Sequence, residues 1–259
     1  MKKTALITGA CINTGVAIVE KFAAEGYHVV FTGRSPEKVK EAEAAYRAKF
    51  PEAEILGYAI DSLIGPTTVD EKAVFELFED LDKKGVFVET LVLNAADQGL
   101  GMKIFESPLT DLMRVINTNV VWNYCLCEHA ARRMKEQGGG NIVFVNSNTA
   151  YRAIPDRVAY VASKGGQLGL MRALTLDLGK YNIRVNAVLP GMIKTDRWEK
   201  NPDFYATVPS RYTPIGDVAV GADIADAVYY FAAHARNTTG AELVVDGGNT
   251  VQLYPVIPQ

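Results

Sequence analysis

The central stretch of the chain, residues 141–164, reads NIVFVNSNTAYRAIPDRVAYVASK. It opens with a mostly apolar segment rich in β-branched side chains, which is typical of a strand buried on both faces. A helical pattern follows and continues to about residue 180. Residues four apart lie on one face of a helix. We therefore expect Tyr160 and Lys164 to project together over the strand end that carries Ser147.

This pair of side chains predicts acid–base chemistry. A free phenol has a pKa near 10 and is a poor catalyst at neutral pH. An ammonium about 4 Å away in a partly screened site contributes about 4 kcal/mol, enough to lower the pKa of Tyr160 by up to about three pH units. Ser147 would then donate a hydrogen bond to a substrate oxygen. With 12 tyrosines in the chain, a chance Tyr-x-x-x-Lys pair is expected about 0.7 times, so a solvated helix face is the alternative unless a cofactor site accompanies the pair.

The composition is that of a globular protein. A chain of 259 residues, with 48% hydrophobic and 22% charged residues, can bury a large core within one domain. The net charge of −3 gives no basic footprint for nucleic acid, and the apolar runs are shorter than a membrane span. The first apolar run is too short for a signal peptide, so we expect a cytoplasmic protein. The cysteines and histidines lack ligand spacing, which predicts no metal site and cysteines that act as small buried hydrophobes.

Strand-like and helical segments alternate along the chain. The predicted strands are 4–9, 27–32, 53–60, 90–94, 141–146, 183–189 and 242–248, and the predicted helices are 16–25, 36–48, 69–84, 108–137, 158–180 and 223–235. This alternation predicts an α/β fold in which helices cover both faces of a doubly wound, seven-stranded parallel sheet. We interpret residues 192–216, with aromatic side chains among prolines and charges, as a substrate lid. The loop after Asp61 shows no evident motif, and the apolar tail from Asn249 to Gln259 is expected to dock on a partner or cover a site.

The first predicted strand runs into a glycine-bearing turn before a helix. Free backbone N–H groups and the positive helix end make such a turn suitable for a pyrophosphate. The glycines are Gly9 and Gly15. Asn13 occupies the middle position of a Gly-x-x-x-Gly-x-Gly pattern, and asparagine tolerates the positive φ that this position needs.

The second predicted strand ends at Gly33-Arg34. An acid near this point would hold a ribose 2′-hydroxyl, whereas an arginine suits a 2′-phosphate. Gly33 stands in place of the acid, so we predict NADP as the preferred cofactor, with NAD possible. The alternative is that Arg34 is a surface residue before a helix that starts at Ser35-Pro36.

Together these motifs resemble the short-chain dehydrogenase/reductase family over essentially the whole chain. The matching positions are Thr8-Gly9…Gly15, Asp61, Asn94-Ala95, Asn119, Ser147, Tyr160-x-x-x-Lys164, Pro190-Gly191…Thr195 and Asp246-Gly247-Gly248. The step of 13 residues from Ser147 to Tyr160 is the family's usual one. The departures are Asn13 for the middle glycine, Leu93 and Ala96 for the outer residues of the usual Asn-Asn-Ala-Gly, and a longer loop after Asp61.

The resemblance implies hydride transfer between NAD(P) and a carbonyl/alcohol pair on a single Rossmann-type domain spanning residues 1–259. Tyr160 would protonate the carbonyl oxygen, Ser147 would position it, and Lys164 would tune the tyrosine and bind the ribose. Asn119 would hold a water in a proton relay. The implied cofactor-binding residues are Gly9, Asn13, Gly15, Arg34, Asp61 at the adenine, Asn94, Tyr160, Lys164, Pro190, Gly191, Ile193 and Thr195 at the nicotinamide amide. The resemblance also implies a homotetramer that assembles through the helices near residues 108–136 and 158–179.

Two interpretations of function remain open at this point. One is an NADP-linked oxidoreductase, and the other is a non-catalytic NAD(P)-binding regulatory or scaffold protein on the same fold. Under the first interpretation, two groups of substrates remain open: a sugar, polyol or hydroxyacid, or else a sterol, an aromatic ketone or a β-ketoacyl thioester. Arg152 and Arg157 in the expected substrate-facing loop favour an anionic or polar substrate, against the alternative of solvated surface arginines. The lid aromatics would suit a larger apolar ligand.

Overall fold

The computed structural model describes residues 2–195, 198, 200 and 202–255. The strands are β1 (Thr4–Ile7), β2 (His28–Gly33), β3 (Ile55–Ala59), β4 (Leu63–Ile64), β5 (Thr68–Val69), β6 (Thr90–Leu93), β7 (Gly140–Val145), β8 (Ile183–Pro190) and β9 (Glu242–Val245). Seven of them form one sheet in the order β3-β2-β1-β6-β7-β8-β9. Every pairing in this sheet is parallel. The predicted doubly wound α/β fold is therefore confirmed.

Helices lie on both faces of the sheet. They are α1 (Asn13–Ala24), α2 (Pro36–Lys49), α3 (Glu71–Lys83), α4 (Leu109–Ile116), α5 (Trp122–Glu136), α6 (Val158–Leu178), α7 (Pro202–Tyr205), α8 (Val208–Tyr212) and α9 (Gly221–Tyr229). Helices α1, α2 and α9 cover one face, and helices α3, α5 and α6 cover the other. None of the helices in the described part of the chain has the length and apolar character needed to cross a membrane.

Successive side chains of each strand enter opposite cores. In β1, Ala5 and Ile7 pack into the core under α1, whereas Leu6 packs into the core under α3. These three side chains have no exposed surface. Because strand side chains alternate in direction, a strand with a covered face on each side must be apolar throughout. This is the physical reason that continuous apolar runs, rather than alternating ones, mark the strands of this sequence.

Two local features differ from the sequence-based expectation. The predicted single helix over 108–137 is divided by a π turn, Asn117–Val121, between α4 and α5. The segment after Asp61 is an antiparallel hairpin of β4 and β5, not an irregular loop.

Of the cysteines, only Cys127 is buried, while Cys11 and Cys125 are half-buried, so the prediction of buried cysteines holds for one of them.

The predicted lid region contains the short helices α7 and α8. Residues 196, 197, 199 and 201 of this region lie outside the described residues, and its role as a lid stays a prediction. The C-terminal tail contacts the same chain, because Arg152 donates to the carbonyl oxygens of Asn249 at 2.9 Å and Thr250 at 3.0 Å. Residues 256–259 of the tail lie outside the described residues.

Candidate active site

The carboxyl ends of the parallel strands meet at one edge of the sheet, and the predicted site residues follow these ends. Strand order reverses at β1, whose neighbours are β2 and β6. Ligands bind at such a switch point in open α/β sheets. One predicted site residue follows the carboxyl end of each of six strands: Gly9 after β1, Arg34 after β2, Asp61 after β3, Asn94 after β6, Ser147 after β7 and Gly191 after β8. The fold thus brings to one edge residues that are up to 182 positions apart in the chain.

The turn after β1 requires residues with unusual backbone freedom. Gly9 has φ +65° and Asn13 has φ +50°, so the predicted positive φ at Asn13 is confirmed. A Cβ at Gly9 would lie 2.8 Å from the Cα of Ala95, and a Cβ at Gly15 would lie 2.7 Å from the Cα of Ala10. Both glycines therefore allow the turn, the helix and the end of β6 to pack closely.

Helix α1 begins in a way that suits a phosphate. Its N-cap residue, Ile12, offers no side-chain acceptor, and its first turn contains no acidic residue. The first N–H groups of a helix lack partners within the helix, and their dipoles favour an anion. The donor set at this turn consequently fits the pyrophosphate of a dinucleotide.

Asn94 and Thr8 fasten the glycine turn to the end of β6. The Asn94 amide donates to the carbonyl oxygens of Thr8 and Gly9, each at 3.0 Å. The Thr8 hydroxyl accepts from the backbone N–H of Asn94 and of Ala95, again at 3.0 Å. The side chain of Asn94 is therefore committed to the turn itself, and its predicted contact with a cofactor stays a prediction.

The end of β2 is the point at which the sequence predicts a choice between NAD and NADP. Gly33 is buried and Arg34 is exposed directly after it. A Cβ at Gly33 would overlap the Sγ of Cys11. Lys38 on α2 also acts on Cys11, where burial raises the thiol pKa and the Lys38 charge lowers it, with a net increase. Asp61, predicted at the adenine, is exposed, and its carboxylate accepts from the backbone N–H of Ser62 at 2.7 Å.

The central group of side chains lies between β7 and α6. Tyr160 and Lys164 are one helical turn apart on α6, and the Lys164 Nζ is 5.5 Å from the centre of the Tyr160 ring. The Ser147 side chain acts on the Tyr160 hydroxyl and lowers its pKa, as a nearby hydrogen-bond donor does. Thr149 in turn donates to the Ser147 Oγ from its hydroxyl at 2.9 Å and from its backbone N–H at 3.2 Å. The structure therefore brings together the serine, tyrosine and lysine that the sequence predicts.

The ionisation of this pair differs from the sequence-based expectation. Burial raises the pKa of Tyr160 above its usual value, although the Ser147 hydrogen bond and the charge of Arg157 oppose the increase. Burial also lowers the pKa of Lys164 to about 7. The predicted lowering of the tyrosine pKa by the lysine was wrong for this state of the protein, because desolvation disfavours the charged forms of both groups.

Lys164 is held by two fixed acceptors. Its Nζ donates to the carbonyl oxygen of Val145 at 3.0 Å and to the Oε1 of Gln167 at 3.1 Å. Only 1% of its surface is exposed. Both hydrogen bonds favour the ammonium form and offset part of the desolvation that lowers its pKa.

Asn119 occupies the π turn and is buried. Its amide nitrogen donates to the Asp97 carbonyl oxygen at 2.8 Å and to the Ser163 hydroxyl at 2.9 Å. Its backbone carbonyl oxygen accepts from Asn123 at 2.8 Å and from Gln167 at 2.7 Å. This carbonyl oxygen therefore connects the π turn to α6, which carries Gln167.

The end of β8 continues the same edge of the sheet. The backbone N–H of Gly191 donates to the Val245 carbonyl oxygen at 3.0 Å, and a Cβ at this glycine would lie 2.5 Å from the Cβ of Asp246. Pro190 is buried, and Ile193 and Thr195 are half-buried. These four residues border the edge on which Ser147 lies, and their predicted cofactor contacts stay predictions.

The two arginines of the expected substrate-facing loop have partners within the chain. Arg152 holds the C-terminal tail, and Arg157 donates to the carbonyl oxygen of Gln98 at 2.8 Å. Neither side chain is simply solvated, so both sequence-based interpretations of these arginines were incomplete. A hydrogen bond to a carbonyl oxygen leaves the guanidinium charged, so the predicted preference for an anionic or polar substrate stays a prediction.

Comparisons with known proteins identify the family. A family model described as enoyl-(acyl carrier protein) reductase matches residues 9–250. The chain is 34% identical to an L-rhamnose 1-dehydrogenase (NAD(P)(+)) from Azotobacter vinelandii, with 97% of this chain and 98% of that protein covered. It is 31% identical to a 3alpha-hydroxysteroid dehydrogenase from Mediterraneibacter gnavus, with coverage of 95% and 96%. The chain belongs to the short-chain dehydrogenase/reductase family.

A solved member of the family has the same fold. The structure of ElxO with NADP bound superimposes with a TM-score of 0.87 at 29% identity, covering 97% of this chain and 100% of that chain. As a short-chain dehydrogenase/reductase, the protein is an oxidoreductase whose relatives act on small molecules.

One site residue of this short-chain dehydrogenase/reductase was missed by sequence reasoning. Gln167 is completely buried and touches both Lys164 and Asn119. The only signal in the sequence was its position on α6, one turn beyond the lysine. Because glutamine is usually exposed on helices, its position alone does not distinguish it from a surface residue.

Proposed function

We propose that the protein is an NADP-dependent oxidoreductase that interconverts a carbonyl and a secondary alcohol. One observation carries this proposal: Ser147 and Lys164 both lie beside Tyr160, because Ser147 acts on the tyrosine hydroxyl and the Lys164 Nζ is 5.5 Å from the centre of the tyrosine ring, at the switch-point edge of the sheet. The arrangement combines a proton donor, a second hydroxyl for the same oxygen and a buried cation beside a turn that fits a pyrophosphate.

The proton chemistry follows from the ionisation of these groups. Because burial keeps the pKa of Tyr160 above its usual value, the phenol stays protonated at neutral pH and can donate to a carbonyl oxygen. Ser147 holds the same oxygen by a second hydrogen bond. The Lys164 ammonium stabilises the negative charge that develops on the tyrosine oxygen as the proton leaves. A bound nicotinamide supplies the hydride to the adjoining carbon.

The choice of NADP rests on the end of β2. Gly33 leaves no carboxylate there to repel a phosphate, and Arg34 and Lys38 provide positive charge. An arginine near a ribose suits a 2′-phosphate through a charge-assisted hydrogen bond. A family member with a bound NADP supports this choice.

The substrate class is best sought among uncharged or polyhydroxylated carbonyl compounds. Arg152 and Arg157 already donate to backbone carbonyl oxygens, which makes them less available to a substrate carboxylate. Relatives named for rhamnose and for a hydroxysteroid define the two ends of the range to be tested.

The test is an absorbance assay of NADPH and NADH oxidation with ketoses, ketoacids, steroid ketones, aromatic ketones and β-ketoacyl thioesters. We expect turnover with NADPH, and we expect Tyr160→Phe to lower kcat by about 10²- to 10⁴-fold, the usual contribution of a general acid. NADPH binding, followed by its fluorescence, should be preserved in this variant. Tyr230→Phe is the control, because that side chain is 46% exposed and lies after α9.

Two outcomes contradict the proposal in different ways. Nucleotide binding without turnover on any substrate favours the non-catalytic alternative. If the protein binds neither NADPH nor NADH, the proposed cofactor site is contradicted as well.

A further inference from the structure

Gln167 lies at the centre of a buried hydrogen-bond network beneath the proposed active site. The side chain is completely buried on α6. Its Oε1 accepts from the Lys164 Nζ and from the Asn146 amide nitrogen, each at 3.1 Å. Its Nε2 donates to the backbone carbonyl oxygen of Asn119 at 2.7 Å. The amide therefore connects three elements: α6, the end of β7 and the π turn.

The orientation of this amide is fixed by a backbone group. The N–H of Ser147, which can only donate, is bonded to the Asn146 Oδ1 at 2.7 Å. This bond places the Asn146 nitrogen towards Gln167, so Gln167 must present its oxygen there. The same oxygen then faces the Lys164 ammonium, which also requires an acceptor. A flipped Gln167 would place an NH₂ group against two donors, and so the network has one consistent arrangement.

The network also accounts for the lone pairs of Asn119. The backbone carbonyl oxygen has two acceptor sites, and Asn123 and Gln167 occupy both. An amide links Asn119 to Lys164 directly, where the family resemblance implies a water in a proton relay. Because an amide N–H is not exchanged as readily as a water proton, this link holds the lysine in place but does not conduct protons.

We propose that Gln167 is a positioning residue that fixes the Lys164 ammonium beneath Tyr160 and joins it to the Asn119 carbonyl through its own amide. An ammonium has three N–H donors, and the Val145 carbonyl and Gln167 hold two of them. The third is left for the tyrosine oxygen or a ligand hydroxyl. The role in catalysis rests on the proposed function, but the hold on Lys164 does not.

The charged and titratable groups that face the network belong to identifiable elements. Tyr160 lies on α6 and Arg157 directly precedes it, while the π turn and the end of β7 contribute amides and carbonyl groups at these contacts. Asp97, which meets Asn119 through its backbone, is paired with Arg114. A substitution at position 167 should therefore change the pKa of Lys164 more than it affects any of these other charged groups.

Two substitutions at Gln167 should act in opposite directions. Gln167→Met keeps the length and apolar stem but removes the acceptor, so the Lys164 pKa should fall further. Gln167→Glu keeps the acceptor and adds a negative charge, so the Lys164 pKa should rise. We expect each change to be about one pH unit or more. A substitution that acted only by loosening the core would not reverse its sign with the charge introduced.

The primary measurement is an NMR titration of Lys164 in protein labelled with ¹³C at lysine Cε, with the resonance assigned by Lys164→Arg. This readout needs neither substrate nor cofactor, so it can succeed or fail independently of the proposed function. Asn186→Leu is the matched control, because Asn186 is a buried amide whose two backbone hydrogen bonds, each 3.0 Å, lie between β8 and the segment before β9. It should lower stability and leave the titration of Lys164 unchanged.

The second measurement is the pH dependence of kcat/KM for carbonyl reduction. Activity that requires the charged lysine falls as pH rises through its pKa. This alkaline limb should move to lower pH in Gln167→Met and to higher pH in Gln167→Glu. An unchanged Lys164 titration in both variants, or a change in the same direction in both, overturns the proposal. If Gln167→Met does not fold, the upward change in Gln167→Glu alone decides the outcome.

Discussion

At the scale of single residues, Cys11 and Gly33 together restrict the choice of cofactor. A carboxylate at position 33 would hold a ribose 2′-hydroxyl and repel a 2′-phosphate. However, any Cβ at this position overlaps the Sγ of Cys11 and lies 2.9 Å from Val39 Cγ2. The cysteine of the glycine turn therefore favours glycine at position 33, directly before the exposed Arg34.

We predict that NAD use requires two changes. Gly33→Asp alone should give a poorly active protein, because the new side chain displaces Cys11 within the cofactor turn. Cys11→Ala combined with Gly33→Asp removes the overlap with the Sγ and leaves only the 2.9 Å approach to Val39 Cγ2. This double variant should raise kcat/KM for NADH relative to NADPH by about tenfold or more, the usual worth of one charge-assisted hydrogen bond. Steady-state kinetics with both nucleotides provides the measurement. Equal ratios in the single and double variants would contradict the steric argument.

Arg34→Ala tests the same preference for NADPH over NADH. Loss of the guanidinium should raise the KM for NADPH and leave kcat nearly unchanged, because the contact is remote from the reacting atoms. Lys40→Ala is the control, since Lys40 is also exposed and lies on α2. An unchanged KM in Arg34→Ala would assign the 2′-phosphate to other residues.

The buried Lys164 should leave a signature in the stability of the protein. Its pKa is about 7 in the folded protein, against 10.5 for a free lysine side chain. Below pH 7 both the folded and the unfolded states carry the proton, and the cost of burying the charge is fully present. Between pH 7 and 10.5 the unfolded state binds more protons, so the stability gained from this group rises with pH.

We predict that Lys164→Met removes this pH dependence. The free energy of unfolding of the wild type should increase relative to the variant by roughly 2–3 kcal/mol between about pH 7 and 9, since each pH unit in this window contributes about 1.36 kcal/mol. Urea unfolding at several pH values across this window measures the difference. Lys72→Met, on the exposed side of α3, should show no such trend, and a constant difference for Lys164→Met would exclude the low pKa.

At the scale of elements, local signals predict the parts of the site that depend on sequence spacing. The positive φ of Asn13, the shared face of Tyr160 and Lys164, and the strand that ends at Ser147 all follow from preferences within a few residues. These preferences act before any tertiary contact is made, and so a single sequence reveals them.

The remaining features depend on contacts between distant elements. The β4–β5 hairpin contacts the π turn through a hydrogen bond that the Asn117 side chain donates to the Thr67 carbonyl oxygen at 2.6 Å. These two residues are 50 positions apart in the chain. Arg152 reaches a tail 97 residues away. The burial of Gln167 depends on how α6 packs against that π turn. Propensity and periodicity contain none of this information, because packing decides it.

The ionisation of Tyr160 illustrates the same limit in electrostatics. The spacing of Tyr160 and Lys164 in the sequence predicts the attraction between a phenolate and an ammonium. It does not predict the desolvation of either group, because desolvation depends on how the folded chain buries them. In the structure desolvation is the larger effect on each group, and the direction of the tyrosine pKa change is reversed.

At the scale of the whole molecule, some of the exposed apolar side chains lie on the helices that carry the site. Helix α6 exposes 83% of Leu176 and 50% of Val158. The π turn and α5 expose 41% of Val121 and 50% of Tyr124, which are three residues apart and share a face. Exposed apolar side chains that share a helix face are typical of protein–protein contacts. The same helices position Asn119, Tyr160 and Lys164, so an interface here would also restrain the site.

We predict that the protein is a homotetramer assembled through these helices. Light scattering should give a mass near four times the 28.2 kDa of one chain. Tyr124→Glu combined with Leu176→Glu places charges on the apolar faces of α5 and α6 and should produce a smaller species, because a buried unpaired charge opposes association. Phe87→Glu is the control, since Phe87 is 41% exposed but precedes β6 at the opposite edge of the sheet from the site. A wild-type mass of 28.2 kDa, or a tetramer that tolerates both glutamates, would contradict an interface on these helices and leave Asn119, Tyr160 and Lys164 positioned by contacts within one chain alone.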